Sequence, residues 1–103
     1  MSFDFFKTYE IVWLKTASKQ LEKLPKKDRS KIIIHIDDIH NAPEALDLKK
    51  LTGFKDFYRI RVGNYRIVLR LNKTQKKLII SYLGHRKAVY DSLKRLTNIF
   101  TYQ

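Results

Sequence analysis

The dipeptide Gly63-Asn64 constrains the fold of this chain more than any other part of its sequence. Short runs of strand-forming residues flank it on both sides. A Gly-Asn pair between two such runs is typical of a β-hairpin with a two-residue loop. With these two residues as the loop, Val62 lies opposite Tyr65. The sequence therefore predicts a hairpin together with its register.

The register sorts the side chains of the hairpin into two chemically different faces, because side chains alternate along a strand. The apolar face carries Tyr58, Ile60, Val62, Tyr65, Ile67 and Leu69, and the opposite face carries Arg59, Arg61, Arg66 and Arg70. Arg61 and Arg66 come directly opposite each other. Like charges in this position destabilise a sheet by roughly a few tenths of a kcal/mol. We therefore expect the arginine face, defined by these four residues, to hold a polyanion.

The distribution of charge along the chain points the same way. Lysine and arginine number 22 against 10 acidic residues, for a net charge of +12. Residues 1–54 hold 10 basic and 8 acidic residues, a net of +2, whereas residues 55–103 hold 12 and 2, a net of +10. Because much of this charge falls on predicted strands, nucleic acid is favoured over an anionic membrane. From charge alone, a solvated basic surface is an equal alternative.

The length of 103 residues predicts a single domain spanning 1–103, with one core. The chain has no cysteine, which excludes a disulfide framework and fits a reducing compartment. Neither a signal peptide nor a membrane span is predicted. We therefore expect a cytoplasmic protein with no membrane partner.

Helices and further strands are predicted on both sides of the hairpin. Residues 9–14 form a first strand. Residues 14–24 form a helix that Pro25 ends, and a second helix begins near Asp28 and stops at residues 41–43. Its predicted buried stripe is Ile32, Ile33, Ile36 and Ile39. Residues 45–55 form a connector, strands follow at 57–62, 65–72 and 77–84, and a C-terminal helix carries Val89, Leu93, Leu96 and Phe100 on one face.

These elements predict an α+β fold. We expect a small, mostly antiparallel twisted sheet with an N-terminal helical hairpin on one face and a C-terminal helix at its edge. The apolar face would pack on the helical hairpin, and the arginine face would stay open and concave.

The corner after the last predicted strand, GHRKAVY at residues 84–90, carries candidate chemistry. Guanidinium groups bind phosphate bidentately, and several converging on one point can stabilise a phosphoryl transition state. Arg86 and Tyr90 are four residues apart and share a helix face. Tyr90 can stack on a base or exchange a proton, and His85 can act as a general acid or base. Taken alone, a core tyrosine and an ordinary strand-end histidine are commoner.

Taken together, these segments resemble the RelE/ParE superfamily of toxins, and the RelE branch most closely. The resemblance covers roughly residues 9–96. It rests on the order of elements and on LTG at 51–53, YRIRV at 58–62, GNYR at 63–66 and GHRKAVY at 84–90. It implies a ribosome-dependent endoribonuclease that cuts mRNA in the decoding site without a metal or another cofactor. In this chemistry the ribose 2′-hydroxyl attacks the adjacent phosphate and leaves a 2′,3′-cyclic phosphate and a 5′-hydroxyl.

The resemblance also implies roles for individual residues. Arg66 contacts the scissile phosphate, Arg86 stabilises charge and can protonate the leaving oxygen, and Tyr90 stacks on a base. The predicted catalytic residues are Arg66, Arg86, Tyr90, Arg61 and His85. The predicted RNA-binding residues are Arg59, Arg61, Arg70, Lys55 and Lys87.

One departure from the family leaves the general base open. Arg59 and Arg61 stand where the best-known member has lysines, and an arginine effectively cannot lose its proton. Either His85 or Tyr90 replaces the base, or alignment of the 2′-hydroxyl with charge stabilisation carries the rate.

The resemblance further implies a cognate, acidic, RelB-like antitoxin that wraps the basic surface. Two alternatives stay open. One is a ParE-like inhibitor of DNA gyrase, and the other is a non-catalytic module that binds RNA or the ribosome.

Overall fold

A computed structural model of the chain describes residues 4–85, with side chains from Phe6 onward. A 3-10 helix (Asp4–Thr8) is followed by β1 (Glu10–Trp13), α1 (Lys15–Glu22), α2 (Lys26–Asn41), a second 3-10 helix (Pro43–Ala45), β2 (Asp47–Lys50), β3 (Phe57–Val62), β4 (Tyr65–Asn72) and β5 (Lys77–His85). Neither α1 nor α2 has the length and apolar character needed to cross a bilayer. The predicted C-terminal helix, with Arg86, Lys87 and Tyr90, lies outside the described residues.

The five strands form one sheet in the order β1-β5-β4-β3-β2. The predicted hairpin is confirmed in its register, with Val62 opposite Tyr65 and Arg61 opposite Arg66. Gly63 has a φ of +57°, in the left-handed region that a tight two-residue loop requires and that glycine adopts without strain. The hairpin prediction succeeds because loop chemistry and side-chain alternation are both short-range properties.

The prediction of a mostly antiparallel sheet is wrong, because the sheet is mixed. β1 runs parallel to β5, with Glu10 beside Lys77 and Trp13 beside Ile80, whereas the other three pairings are antiparallel. Two helices and three strands separate β1 from β5 in sequence. This long connection allows either direction, so the local pattern of residues 9–14 holds no information about it.

The prediction of an N-terminal helical hairpin is also wrong. A 3-10 helix and β1 precede the helices, and the two helices pack on different parts of the molecule. α1 packs chiefly on β5, whereas α2 packs on both 3-10 helices and on β3. The apolar stripes, Ala17 in α1 and Ile32, Ile36 and Ile39 in α2, each point into the core beneath the sheet. Burial against the sheet therefore decides where each helix lies.

The apolar face of the β3–β4 hairpin forms the centre of the core, as predicted. Tyr58, Ile60, Val62, Ile67 and Leu69 are all buried there, and Tyr65 is half-buried at its border. The inclusion of Ile33 in the buried stripe is wrong, since its side chain is 44% exposed. It follows Ile32 by about 100° around the helix axis, which turns it away from the sheet.

The segment predicted as a connector contains a strand, β2, that its sequence does not reveal. β2 pairs antiparallel with β3 at the edge of the sheet and buries only Leu48. Edge strands are commonly short and rich in charge, which protects them from pairing with other chains and makes them look like loops in a sequence.

The prediction of an open arginine face is wrong over part of its area. Val68 lies opposite Arg59 on this face and is fully buried by Leu51, Phe54, Phe57 and Tyr82. The segment after β2 therefore covers one end of the face.

Candidate nucleic-acid interface

Two of the four arginines on the arginine face converge on one carboxylate that is not among the predicted site residues. Asp47 of β2 lies directly opposite Arg61 of β3. Arg59 Nη1 donates hydrogen bonds of 3.0 Å to both the backbone carbonyl and the Oδ1 atom of Asp47. Arg61 Nε lies 3.6 Å from Oδ2 of the same carboxylate. Asp47 therefore links the two guanidinium groups.

The positive charges around Asp47 determine its protonation. The hydrogen bond from Arg59 holds the pKa of the Asp47 carboxyl below its usual value, against a smaller opposing effect of burial. The charges of Arg59, Arg61 and Lys49 lower the pKa further. Asp47 is therefore an anion at neutral pH. No local signal could have revealed it, because its position beside the arginines depends on the pairing of β2 with β3.

Arg66 is held in a different way, by its own turn. Its side chain is buried, with 3% of the residue exposed, and its Nη1 donates to the backbone carbonyls of Gly63 at 3.2 Å and Tyr65 at 3.0 Å. Within residues 4–85 its buried Nε has no hydrogen-bond partner. Carbonyl oxygens satisfy donors without cancelling charge, so Arg66 keeps its positive charge beside Arg61.

His85 lies on the other side of the sheet from Arg61 and Arg66. It is opposite Tyr65, and the two rings are in edge contact with centroids 5.4 Å apart. The Tyr65 hydroxyl donates a 2.9 Å hydrogen bond to Oδ2 of Asp28, which raises the pKa of Tyr65. These residues line a cavity of about 240 Å³ together with Lys31 and the β3–β4 turn.

An irregularity in the pairing of β4 with β5 places the His85 side chain on the face of the sheet opposite Arg61 and Arg66. Val68 pairs with Tyr82, but Leu69 pairs with Ile80, so Ser81 has no opposite residue. An extra residue in one strand of an antiparallel pair reverses the alternation beyond it. Leu78 and Ile80 point into the core before the bulge, and Leu83 does so after it. His85, two residues after Leu83, therefore lies on the same face of the sheet as Leu83, which is the face that packs against the helices.

The remaining predicted contact residues are dispersed. Arg70 is exposed on the arginine face, near the end of β4, with Phe57 and Ile79 as its neighbours across the strands. Lys55 is exposed in the segment after β2, which lines a groove of about 470 Å³. The structure thus brings Arg59 and Arg61 together at Asp47, sets Arg66 opposite Arg61, and places Arg70 and Lys55 farther along the sheet.

Comparisons with known proteins give a consistent result. Residues 11–90 match the family described as the ParE toxin of the type II toxin-antitoxin system parDE. Toxin RelE3 of Methanocaldococcus jannaschii is 36% identical over 86 residues, which cover 80% of this chain and 96% of that protein.

Two solved structures are similar over a comparable share of the chain. The RelB-RelE antitoxin-toxin complex from Methanococcus jannaschii superposes with a TM-score of 0.66 at 36% identity, covering 78% of this chain and 95% of the other. The archaeal RelE-RelB complex from Pyrococcus horikoshii superposes with a TM-score of 0.64 at 32% identity, covering 77% and 96%.

Proposed function

The chain belongs to the RelE/ParE superfamily of type II toxins, with RelE-like relatives, and from this premise we propose that it is an mRNA interferase. In this proposal it cleaves mRNA on the ribosome and thereby stops translation. Relatives that carry the name RelE match nearly their whole length at more than 30% identity, which supports the RelE-like activity.

The observation that carries the proposal is the pair formed by Arg61 and Arg66. The two residues lie directly opposite each other on neighbouring strands. Arg61 is half-exposed, and Arg66 is bound to carbonyl oxygens that leave its charge intact. A phosphodiester between them would gain attraction from both groups and would relieve their mutual repulsion. This supports the binding of an RNA backbone along the arginine face.

The proposed reaction is a transesterification within the RNA that side chains of the protein assist. The 2′-hydroxyl oxygen attacks the adjacent phosphorus and its proton passes to water, while the bond from phosphorus to the 5′ oxygen of the next nucleotide breaks and that oxygen takes up a proton from water. Arg61 and Arg66 hold the phosphate oxygens, and Arg86 stabilises the charge that develops and donates toward the leaving oxygen. Tyr90 stacks on a neighbouring base, and Arg70, Lys55 and Lys87 contact phosphates farther along the strand.

The groups described on this face favour alignment and charge stabilisation as the source of the rate. Arg59 and Arg61 keep their protons, so neither acts as a general base. His85 lies on the helix side beside Tyr65. We therefore assign most of the rate to alignment of the 2′-hydroxyl with the phosphorus and to charge stabilisation, which together can supply several kcal/mol.

We also propose that an acidic antitoxin neutralises the protein. Two similar toxins were crystallised in complex with RelB. The net charge of +10 on residues 55–103 of this chain suits an acidic partner that covers the basic surface.

A cell-free translation experiment tests the nuclease. A defined mRNA is translated in the presence of the purified protein, and the new 5′ ends are mapped. We expect discrete cuts within translated codons that Arg86→Ala abolishes. Lys27→Ala, which removes an exposed charge from α2, is the matched control and should leave the cuts unchanged. Intact mRNA under these conditions would refute the proposal.

A second candidate has one specific observation in its favour, since the family model that matches is described as a ParE toxin. This candidate inhibits DNA gyrase without nuclease chemistry. Inhibition of gyrase supercoiling together with intact mRNA would support it. Inhibited translation with intact mRNA and active gyrase would instead indicate a non-catalytic RNA- or ribosome-binding module.

A further inference from the structure

The carboxylate of Asp47 binds the two arginines of β3 unequally. Arg59 is held by two hydrogen bonds of 3.0 Å, one of them to the backbone, and its side chain is only 11% exposed. Arg61 makes a single contact of 3.6 Å, and its side chain is 49% exposed. A charge pair at this distance, half in water, contributes little to stability. Asp47 therefore has one fixed bond and one that can be exchanged.

The exchangeable bond occupies the place that an RNA phosphate would take. A carboxylate and a phosphodiester both present two anionic oxygens, and both suit the fork of an arginine. Arg61 is also the arginine of β3 that faces Arg66 across the strands. A phosphate that approaches this pair competes with Oδ2 of Asp47 for the guanidinium of Arg61.

We propose that Asp47 is a positioning and specificity-determining residue of the RNA-binding face. Its carboxylate holds Arg59 in place as a structural side chain, and it pairs with Arg61 until an RNA phosphate displaces the carboxylate from Arg61. The inference rests on the proposed function, because it takes RNA as the ligand of this face. It reassigns Arg59 from RNA contact to support of the site. It also gives Asp47 a role in limiting the affinity for free RNA.

The effect of Asp47 on the net charge of this part of the face follows from the formal charges of Arg59, Arg61 and Asp47. Two guanidinium charges minus one carboxylate charge leave a net of +1 on Arg59, Arg61 and Asp47. Asp47→Asn raises this to +2 and leaves Arg61 unpaired. One further cationic contact with single-stranded nucleic acid increases the steepness of the dependence of log K on log salt concentration by roughly 0.7.

The experiment measures binding of a short, fluorescein-labelled single-stranded RNA whose 2′-hydroxyls are methylated, so that no cleavage occurs. Affinity is followed over a range of salt concentrations for the wild type, Asp47→Asn, Asp47→Glu and Asp37→Asn. The last variant is the control, since it removes the same charge from an exposed position on α2. Circular dichroism establishes that each variant is folded.

We expect Asp47→Asn to bind RNA several-fold more tightly at low salt. The slope of log K against log salt concentration should be steeper by roughly 0.7. Asp47→Glu, which keeps the charge, should retain the slope of the wild type, and Asp37→Asn should change it far less than Asp47→Asn. Equal slopes for Asp47→Asn and Asp37→Asn would overturn the inference, as would a steeper slope for Asp47→Glu. If Asp47→Asn does not fold, Asp47→Glu and Arg61→Ala are compared instead. Arg61→Ala should flatten the slope and Asp47→Glu should not, and equal slopes for these two variants would overturn the inference.

This measurement is independent of cleavage. Cut mRNA in the translation experiment with an unchanged slope for Asp47→Asn would refute the role of Asp47 and leave the nuclease intact. Intact mRNA with the expected change of slope would refute the nuclease and leave the role of Asp47 intact. If neither the wild type nor Asp47→Asn has measurable affinity for RNA, the role of Asp47 is refuted, and the translation experiment alone decides the nuclease.

Discussion

Substitution of Arg59 and Arg61 by alanine should have different consequences, although the two residues are neighbours on one strand face. Arg59 is almost completely buried and makes two hydrogen bonds to Asp47 from one charged donor. Hydrogen bonds with a charged partner contribute about 1.5–3 kcal/mol each. Because both bonds come from the single Nη1 atom, and because the Asp47 carboxylate is 42% exposed and regains water after the substitution, we count the two together as one charged hydrogen bond in this range. Arg59→Ala should therefore lower the free energy of unfolding by about 2 kcal/mol.

Arg61→Ala should lower the free energy of unfolding much less. Its single contact with Asp47 is long and half-exposed, and pairs of this kind contribute about 0–1 kcal/mol. Urea unfolding followed by circular dichroism measures both variants, with Arg70→Ala as a control for the loss of an exposed arginine from the same face. In thermal unfolding, a change of about 2 kcal/mol corresponds to a decrease in Tm of roughly 8–16 °C.

Two results would refute this reasoning. Equal destabilisation by Arg59→Ala and Arg61→Ala would mean that the burial of Arg59 and its bond to the Asp47 carbonyl contribute nothing to the free energy of unfolding. Full stability of Arg59→Ala would mean that Asp47 does not hold this side chain. Either result would also remove the fixed bond on which the proposed role of Asp47 depends.

Further predictions concern titration, the hairpin loop and the covered end of the arginine face. Because the pKa of Asp47 is lowered on folding, its contribution to stability is fully present above the ordinary value of 3.8 and is lost as pH falls through the folded-state pKa. Urea midpoints measured at acidic pH should show this loss, and Asp47→Asn should abolish the pH dependence that Asp47 causes. The pKa of Tyr65 is raised by its bond to Asp28, so its contribution is fully present below the ordinary value of 10.0 and is lost as pH rises through the folded-state pKa. Tyr65→Phe should remove this alkaline dependence, and spectrophotometric titration of the tyrosines is the check. Gly63→Ala should destabilise the hairpin by about 1–2 kcal/mol, since φ at this position is +57°; an unchanged urea midpoint would contradict the turn geometry. Val68→Ala should lower the unfolding free energy by about 1–3 kcal/mol in the same assay, and no loss would mean that the segment after β2 does not cover it.

The hairpin at the centre of the site was predictable because every property it depends on is short-range. Gly63 and Asn64 supply the loop, and alternation assigns each neighbouring side chain to a face. The opposition of Arg61 to Arg66 follows from these two facts alone, and the structure has it. The buried positions on the apolar face of the hairpin were predictable for the same reason.

Strand direction and the position of His85 were not predictable in this way. The parallel pairing of β1 with β5 joins segments more than sixty residues apart, and no local pattern specifies the direction of such a pair. His85 lies on the helix side because Ser81 is an extra residue in β5, and a bulge of this kind leaves the residue types around it unchanged.

By itself, the sequence determined the hairpin, its register, the apolar face that forms the core, and the likeness to RelE-like toxins. Only the tertiary structure decided that β2 lies beside β3, and with it that Asp47 joins Arg59 and Arg61. The physical reason is that alternation and turn geometry act between neighbours in the chain, whereas the choice of an edge strand depends on how the whole chain buries its apolar surface. A carboxylate that reaches a site through such a pairing has no signature in the sequence around it.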